Sequence, residues 1–249
     1  MATVLPISAK SSKRLPGRRF DHLFFSGMIV LMLGTVALGF ARTYFLAGVF
    51  HAPLPSAIIH IHGAVFSFWM LLLLAQTTLV SVHRVDIHRK LGLFGFALAC
   101  AMVVLGVLAA ADELARRGSL PPPPDFLAFS IVPLTSILLF GVFIGLAYRA
   151  RKDSARHKRL ILLAMIAPMV AGIARWPFPF VFQNVRVASL LSCVFIVLLV
   201  AYDLWSTHKI HSATLWGSLA IIAVQQTRMM IAATGPWHEF ARWIQSWGV

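Results

Sequence analysis

Long apolar runs dominate the chain, and short polar or basic segments separate them. A helix that crosses a membrane needs about 20 consecutive apolar residues. Seven runs reach or approach this length: residues 24–46, 57–82, 91–111, 126–148, 160–174, 187–204 and 214–233. The pattern predicts an all-α membrane protein, a bundle of about seven transmembrane helices.

The fifth run is the shortest of the seven. It contains Pro168 and continues into the segment 175–180, which reads Arg-Trp-Pro-Phe-Pro-Phe. Proline lacks an N–H group and clashes with the preceding helical turn, so two prolines this close end a helix. A re-entrant or tilted segment is the alternative to a full crossing, and it would reverse the orientation of everything that follows.

The basic residues between the runs predict the orientation. Of the 22 Lys and Arg residues, 15 lie in the amino-terminal segment and in the loops after the second, fourth and sixth runs. Lys and Arg concentrate in cytoplasmic loops of membrane proteins. We therefore expect the amino terminus inside and, with seven crossings, the carboxyl terminus outside.

Three regions follow from this pattern. Residues 1–20 form a basic cytoplasmic tail, residues 21–233 form the transmembrane bundle, and residues 234–249 form a Trp-rich tail. Trp is enriched where membrane meets water, so we expect the tail to lie on the outer headgroups.

Composition supports lipid as the solvent and a bilayer as the main partner. The chain is 59% hydrophobic and 12% charged, about half the charged fraction usual in soluble domains. Its net charge of +14 would suggest nucleic acid for a soluble protein. Here the basic residues sit in short loops, so we expect no nucleic-acid partner.

Histidines are the main candidates for chemistry. With this topology, the ten histidines fall into two layers. The outer layer holds His51, His60, His62 and His238, and the inner layer holds His22, His83, His88, His157, His208 and His211. Two layers near opposite faces are typical of membrane cytochromes in which paired imidazoles bind haem iron. The alternative is that these histidines are polar anchors at the interface.

Helical periodicity places small residues beside three of the histidines. His60, His88 and His157 share their faces with Gly63, Gly95 and Gly172 respectively, among other small residues. Small residues mark contacts between membrane helices, so these histidines should point into the bundle. The faces leave room either for a flat macrocycle or for close helix packing. His62 aligns instead with Trp69 and Gln76, a stripe that could face a cavity or make interhelical hydrogen bonds.

Three arginines lie near the predicted outer ends of helices: Arg42, Arg175 and Arg228. If they converge, they could hold an anionic group such as a haem propionate, a quinone-like headgroup or a lipid phosphate. The alternative is that each reaches separately for the interface. No lysine lies within a predicted span, which excludes a retinal Schiff base.

Several stretches resemble a bacterial family of multi-pass membrane proteins of unknown function. They are His60-Ile61-His62-Gly63, Trp69, Gln76-Thr77, His88-Arg89-Lys90-Leu91-Gly92 and Ala155-Arg156-His157-Lys158-Arg159-Leu160. The resemblance covers residues 20–205. It implies a helical bundle in the bacterial inner (plasma) membrane and assigns no activity.

A looser similarity runs to two-haem membrane cytochromes b, which also carry histidines near both ends of a helical core. This similarity implies haem b as a candidate cofactor. The candidate cofactor-binding residues are His60, His62, His88, His157, Arg42 and Arg175.

Two classes of function follow. The first is a haem b-binding or quinone-linked electron-transfer protein with histidines near the membrane faces. The second is a non-enzymatic membrane protein: an accessory subunit of a larger complex, a small-molecule or lipid-binding bundle, or a transporter-like bundle.

Overall fold

The computed structural model describes residues 20–53, 55–118 and 126–247. Within these ranges all regular structure is helical. Most of the predicted basic tail lies outside the described residues. The helices are α1 (Asp21–Phe40), α2 (Ala57–Ser81), α3 (Val85–Gly118), α4 (Phe126–Phe129), α5 (Ile131–Arg149), α6 (Ser154–Ile166), α7 (Met169–Ile173), α8 (Val185–Thr207), α9 (Ser212–Ala232) and α10 (Gly235–Gln245).

Five helical segments are long and apolar enough to cross a membrane. They are Asp21–Phe45, Ala57–Ser81, Val85–Arg116, Phe126–Arg149 and Val185–Thr207. The first combines α1 with the π-helical turn Ala41–Phe45, and the fourth combines α4 with α5. The predicted class, a multi-pass helical membrane protein, agrees with these five segments. The α6–α7 pair and α9 match the remaining two predicted runs and are not among the five.

Polar side chains fix the starts of four helices where the apolar runs begin. Each side chain accepts a hydrogen bond from a backbone N–H of the first turn, which would otherwise have no partner. The capping residues are Ser56 for α2, Asp153 for α6, Asn184 for α8 and His211 for α9. Local sequence therefore explains why these helices begin where they do.

The α6–α7 pair is the centre of the bundle. The side chains from Leu162 to Ile166 are each at most 1% exposed, and α1, α5, α8 and α9 all pack against α6. Pro168 separates α6 from α7, as proline in a helix predicts. After α7 the chain turns away, and the Trp176 indole donates to the Thr35 carbonyl of α1 (3.2 Å).

Around this centre, α1 packs on α2, α2 on α3, α3 on α5, and α9 on both α5 and α8. One end of the bundle holds the α2–α3, α5–α6 and α8–α9 turns and the start of α1. We call it the basic end, because three of the four basic segments in the sequence reach it.

The last helix, α10, lies against α3, α4 and α9 at the opposite end. The Trp237 indole donates to the Leu127 carbonyl (3.0 Å), and the Gln245 amide donates to the Leu114 carbonyl (3.0 Å). Ile244 is buried, while Trp243 on the other side is exposed. The Trp-rich tail is therefore an amphipathic helix docked on the bundle.

Candidate functional site

His88, His157 and Gln76 meet at the basic end. We call His88 and His157 the histidine pair. His88 lies in the first turns of α3, and Gln76 lies opposite it on α2. In the amide orientation that satisfies both of its ends, Gln76 donates to His88 Nδ1 (2.6 Å) and accepts from the Gly92 N–H (3.0 Å). His88 Nδ1 is thus an acceptor, so in the neutral ring Nε2 carries the hydrogen.

His157 has the opposite tautomer. Its Nδ1 lies 2.8 Å from the Ala147 carbonyl oxygen of α5. A carbonyl oxygen can only accept, so Nδ1 carries the hydrogen and the neutral ring keeps a lone pair on Nε2. The two imidazoles come from different helices and are close enough for their charges to interact.

Both rings can be reached from outside the protein. His88 and His157 are each half-buried. The hydrogen bonds described above go to the two Nδ1 atoms, and the His88 ring also has a backbone hydrogen bond with Gln76. The pair therefore presents one N–H donor and one nitrogen acceptor at the basic end, beside the cationic Arg89.

A second polar cluster lies deeper at the same end, around a buried ion pair. Asp203 is 0% and Arg159 is 3% exposed. Asp203 Oδ1 accepts from Arg159 Nε (2.8 Å) and Nη2 (2.5 Å). Its Oδ2 accepts from the His211 N–H (3.0 Å) and the Thr214 hydroxyl (2.6 Å). Both oxygens of this carboxylate are satisfied from within the protein, which indicates a structural role.

Asp21 extends this cluster to α1. Its carboxylate pairs with the Lys158 ammonium (2.5 Å) and accepts from the Tyr202 hydroxyl. The Tyr202 ring stacks on Phe24, with 3.9 Å between ring centroids. These contacts join α1, α6 and α8 at the basic end.

His211 caps α9 beside the ion pair. Burial lowers the pKa of His211 below its ordinary value of 6.5, the Arg159 guanidinium adds to this, and Asp203 opposes it. Its Nδ1 accepts from the Ala213 N–H (3.1 Å), which requires a nitrogen without a hydrogen. Burial and the capping bond therefore both favour the neutral imidazole.

Sequence reasoning recognised the histidines but missed the ion pair. Asp203 was an isolated polar residue in an apolar run, with no pattern to assign a partner. The sequence did contain a signal for this pair. Arg159 directly precedes the fifth run, and Asp203 lies near the end of the sixth. If these two runs form antiparallel helices, both residues lie at the same end of the bundle. Membrane helices bury opposite charges together.

The candidate histidines of the other layer have different surroundings. His60 is exposed, and its ring lies 5.5 Å from the Tyr44 ring. The Tyr44 ring also covers Gly63, where a Cβ would lie 2.9 Å from Tyr44 Cζ. His62 is half-buried beside Phe66. The small-residue face next to His60 is thus filled by an aromatic ring of the same protein.

Neighbouring helices also fill the small-residue faces beside the histidine pair. A Cβ on Gly95 would lie 3.2 Å from Leu72 and 3.7 Å from Trp69 of α2. The Trp69 indole in turn donates to the Met165 sulfur of α6 (3.1 Å). On the α3 face, the glycines allow close packing of α2 on α3.

The three candidate arginines each have different neighbours. The exposed Arg42 guanidinium lies over Phe50 (5.1 Å), and that of Arg175 lies over Phe40 (4.7 Å). Arg228 is 2% exposed, and its Nη2 donates to the Ser189 hydroxyl (2.8 Å). These contacts place the three guanidinium groups beside separate partners, and none of the contacts joins one arginine to another.

Within the described ranges, no group of three or more His, Cys, Asp and Glu side chains is arranged to hold a metal ion. Compared with protein-family models, curated proteins and solved structures, the chain matches none of them. The family resemblance stated from the sequence therefore stays a prediction, and the functional argument depends on the geometry above.

Proposed function

We propose that the chain crosses the plasma membrane seven times, with the basic end on the cytoplasmic side and α10 on the outer side. The five long apolar segments supply five crossings. The α6–α7 pair runs over residues 154–173, which extend about 30 Å, the thickness of the hydrocarbon layer. The burial of residues 162–166 of this pair and the packing of α9 against α5 and α8 support these two as the remaining crossings.

We further propose that the histidine pair binds the headgroup of a lipophilic molecule of the quinone or quinol class. The observation that carries this is the opposite tautomers of two accessible imidazoles from different helices. His88 Nε2–H can donate to a quinone oxygen, and His157 Nε2 can accept from a quinol hydroxyl. The site lies where a molecule in the cytoplasmic leaflet would place its polar end, so quinone-linked electron transfer is the proposed process.

Haem b suits this pair less well. Two axial imidazoles must both offer an Nε2 lone pair to iron. Gln76 donates to His88 Nδ1, which leaves hydrogen on His88 Nε2. The donor set at the pair does not fit a bis-histidine haem, and the proposed function includes no step through haem.

The test uses calorimetry to measure the affinity of a short-chain benzoquinol for the purified protein in mild detergent. Replacing His88 or His157 by Leu should weaken binding about five- to tenfold each, the value of one lost hydrogen bond. His22→Ala is the matched control, because His22 is an exposed histidine at the same end. Unchanged affinity in both Leu variants would contradict the proposal and favour a non-enzymatic subunit or another ligand.

A visible spectrum separates the haem alternative. The proposal predicts that no haem stays bound to the purified protein, with or without dithionite, even when the cells have been supplied with haem. A sharp b-type band on reduction, lost in His60→Ala or in His88→Leu, would replace the quinone proposal with a cytochrome.

A further inference from the structure

Helix α9 carries a buried polar stripe. Thr214, Gln225 and Arg228 are at most 6% exposed, and Arg228 Nε has no hydrogen-bond partner among the described residues. Polar and charged side chains such as these disfavour the transfer of a helix into lipid. This agrees with the absence of α9 from the five long apolar segments.

Helix α8 supplies a partner for each of these three side chains. Near the basic end, Thr214 donates to Asp203 (2.6 Å). Further along, the Gln225 amide donates to the Ser192 hydroxyl (3.2 Å). Near the opposite end, Arg228 donates to Ser189 (2.8 Å). From residue 189 to residue 203 the bonds follow α8 for about 21 Å, most of the hydrocarbon thickness.

Helix α6 depends on the same carboxylate. Arg159 makes two hydrogen bonds to Asp203, and an unpaired guanidinium there would be buried without a counter-charge. The α6–α7 pair is also not one of the five long apolar segments. Asp203 therefore links both α6 and α9 to α8, which is one of the five long apolar segments.

We infer that α8 carries α9 into the membrane as a polar-bonded hairpin, and that Asp203 then secures α6. This inference rests on the proposed seven crossings. Since α6 precedes α8 in the chain, Arg159 gains its partner only after α8 has been made. The position of α6 is therefore completed only once α8 is in place.

The test measures on which side α9 ends. In a chain with Cys100→Ser and Cys193→Ser, Ser246→Cys supplies a single thiol after α10, which the seven crossings place outside. A membrane-impermeant maleimide on intact cells reports this thiol, normalised to the pulse-labelled total so that unstable variants are still scored. Asp203→Leu should lower outside labelling at least fivefold and raise the fraction labelled only after permeabilisation.

A rescue variant keeps the test independent of general misfolding. Adding Gln225→Leu and Arg228→Leu to Asp203→Leu makes α9 apolar enough to insert alone, so outside labelling should return to the parent level. Asp21→Asn is the matched control, because it weakens an ion pair with Lys158 of α6 at the same end. It should label as the parent does.

The outcomes separate the two proposals. If the parent thiol is labelled outside and Asp203→Leu changes nothing, or if the rescue variant stays unlabelled, the hairpin inference is wrong and the seven crossings stand. If the parent thiol itself is not labelled outside, the seven-crossing orientation is wrong and the hairpin inference falls with it. Quinol binding at His157 is measured separately and is not affected by either result.

Discussion

Gly39 of α1 and Gly172 of α7 meet backbone to backbone. A Cβ added to Gly39 would lie 2.0 Å from the Gly172 carbonyl oxygen, a distance that no real pair of non-bonded atoms adopts. A Cβ added to Gly172 would have its nearest neighbour, Val36 Cα, at 3.5 Å, which is an ordinary contact. The close approach therefore depends on Gly39, although the two glycines face each other.

This asymmetry gives the first prediction. Gly39→Ala should destabilise the protein by about 1–3 kcal/mol, because the clash is with backbone, which cannot rotate away. Gly172→Ala should be neutral or slightly stabilising, because alanine favours the helix and finds room. Thermal unfolding in detergent measures both, and equal destabilisation by the two variants would contradict the packing of α1 on α7.

The buried ion pair gives the second prediction. Arg159→Leu or Asp203→Leu alone should destabilise the bundle by about 3–5 kcal/mol, because each leaves one buried charge without its partner. The double variant should be more stable than either single variant, since it leaves no unpaired charge. Unfolding of all four proteins closes a double-mutant cycle, and additive effects would show that the pair does not interact as described.

The His211 cap gives the third prediction. Its pKa is lowered in the folded state, so folding favours the neutral ring. This contribution is complete above the unfolded value of about 6.5 and is lost as pH falls through that value. As pH falls from 7.5 to below 6.5 the protein should therefore lose stability, up to about 1 kcal/mol once the capping bond is fully lost.

The measurement is the pH dependence of thermal stability, compared with His211→Asn. Asparagine caps a helix without titrating, so the variant should have a flatter profile between these pH values. A parallel pH profile in both proteins would assign the effect to another group.

The fourth prediction concerns the fifth crossing. Lys152 and Phe180 are both exposed and lie on opposite sides of α6–α7. In the chain without its two native thiols, Lys152→Cys and Phe180→Cys should react with an impermeant maleimide from opposite faces of the membrane. The proposed topology places position 152 inside and position 180 outside. Labelling of both positions from one face would show that α6–α7 is re-entrant.

How much the sequence predicts differs between fold and site. The apolar runs predicted helix ends to within a few residues for α2, α8 and α9, because caps and polar loops are local signals. For α3 the apolar run begins at residue 91, and the helix begins earlier, at Val85, as the helical face predicted for His88 and Gly95 requires. The basic residues that precede the apolar run belong to the helix, since Lys and Arg are good helix formers.

For the site, the sequence singled out His88 and His157 as residues on inward-facing small-residue stripes. It did not predict which ring nitrogen each would offer, because that depends on Gln76 and on the Ala147 carbonyl, both on other helices. A tautomer is set by the hydrogen bond to the other nitrogen. These two contacts are the reason for proposing a quinol ligand and not haem.

By itself the sequence determined that this is a helical membrane protein, because apolar run length and the placement of Lys and Arg are properties of the chain alone. Tertiary structure decided which helix is central and which charges are paired. The fifth run was the shortest of the predicted crossings, yet it forms the most buried helix, because packing against α1, α5, α8 and α9 replaces the lipid that a long apolar run would need. Likewise, Arg159 and Asp203 lie 44 positions apart in sequence and become partners only when α6 packs beside α8.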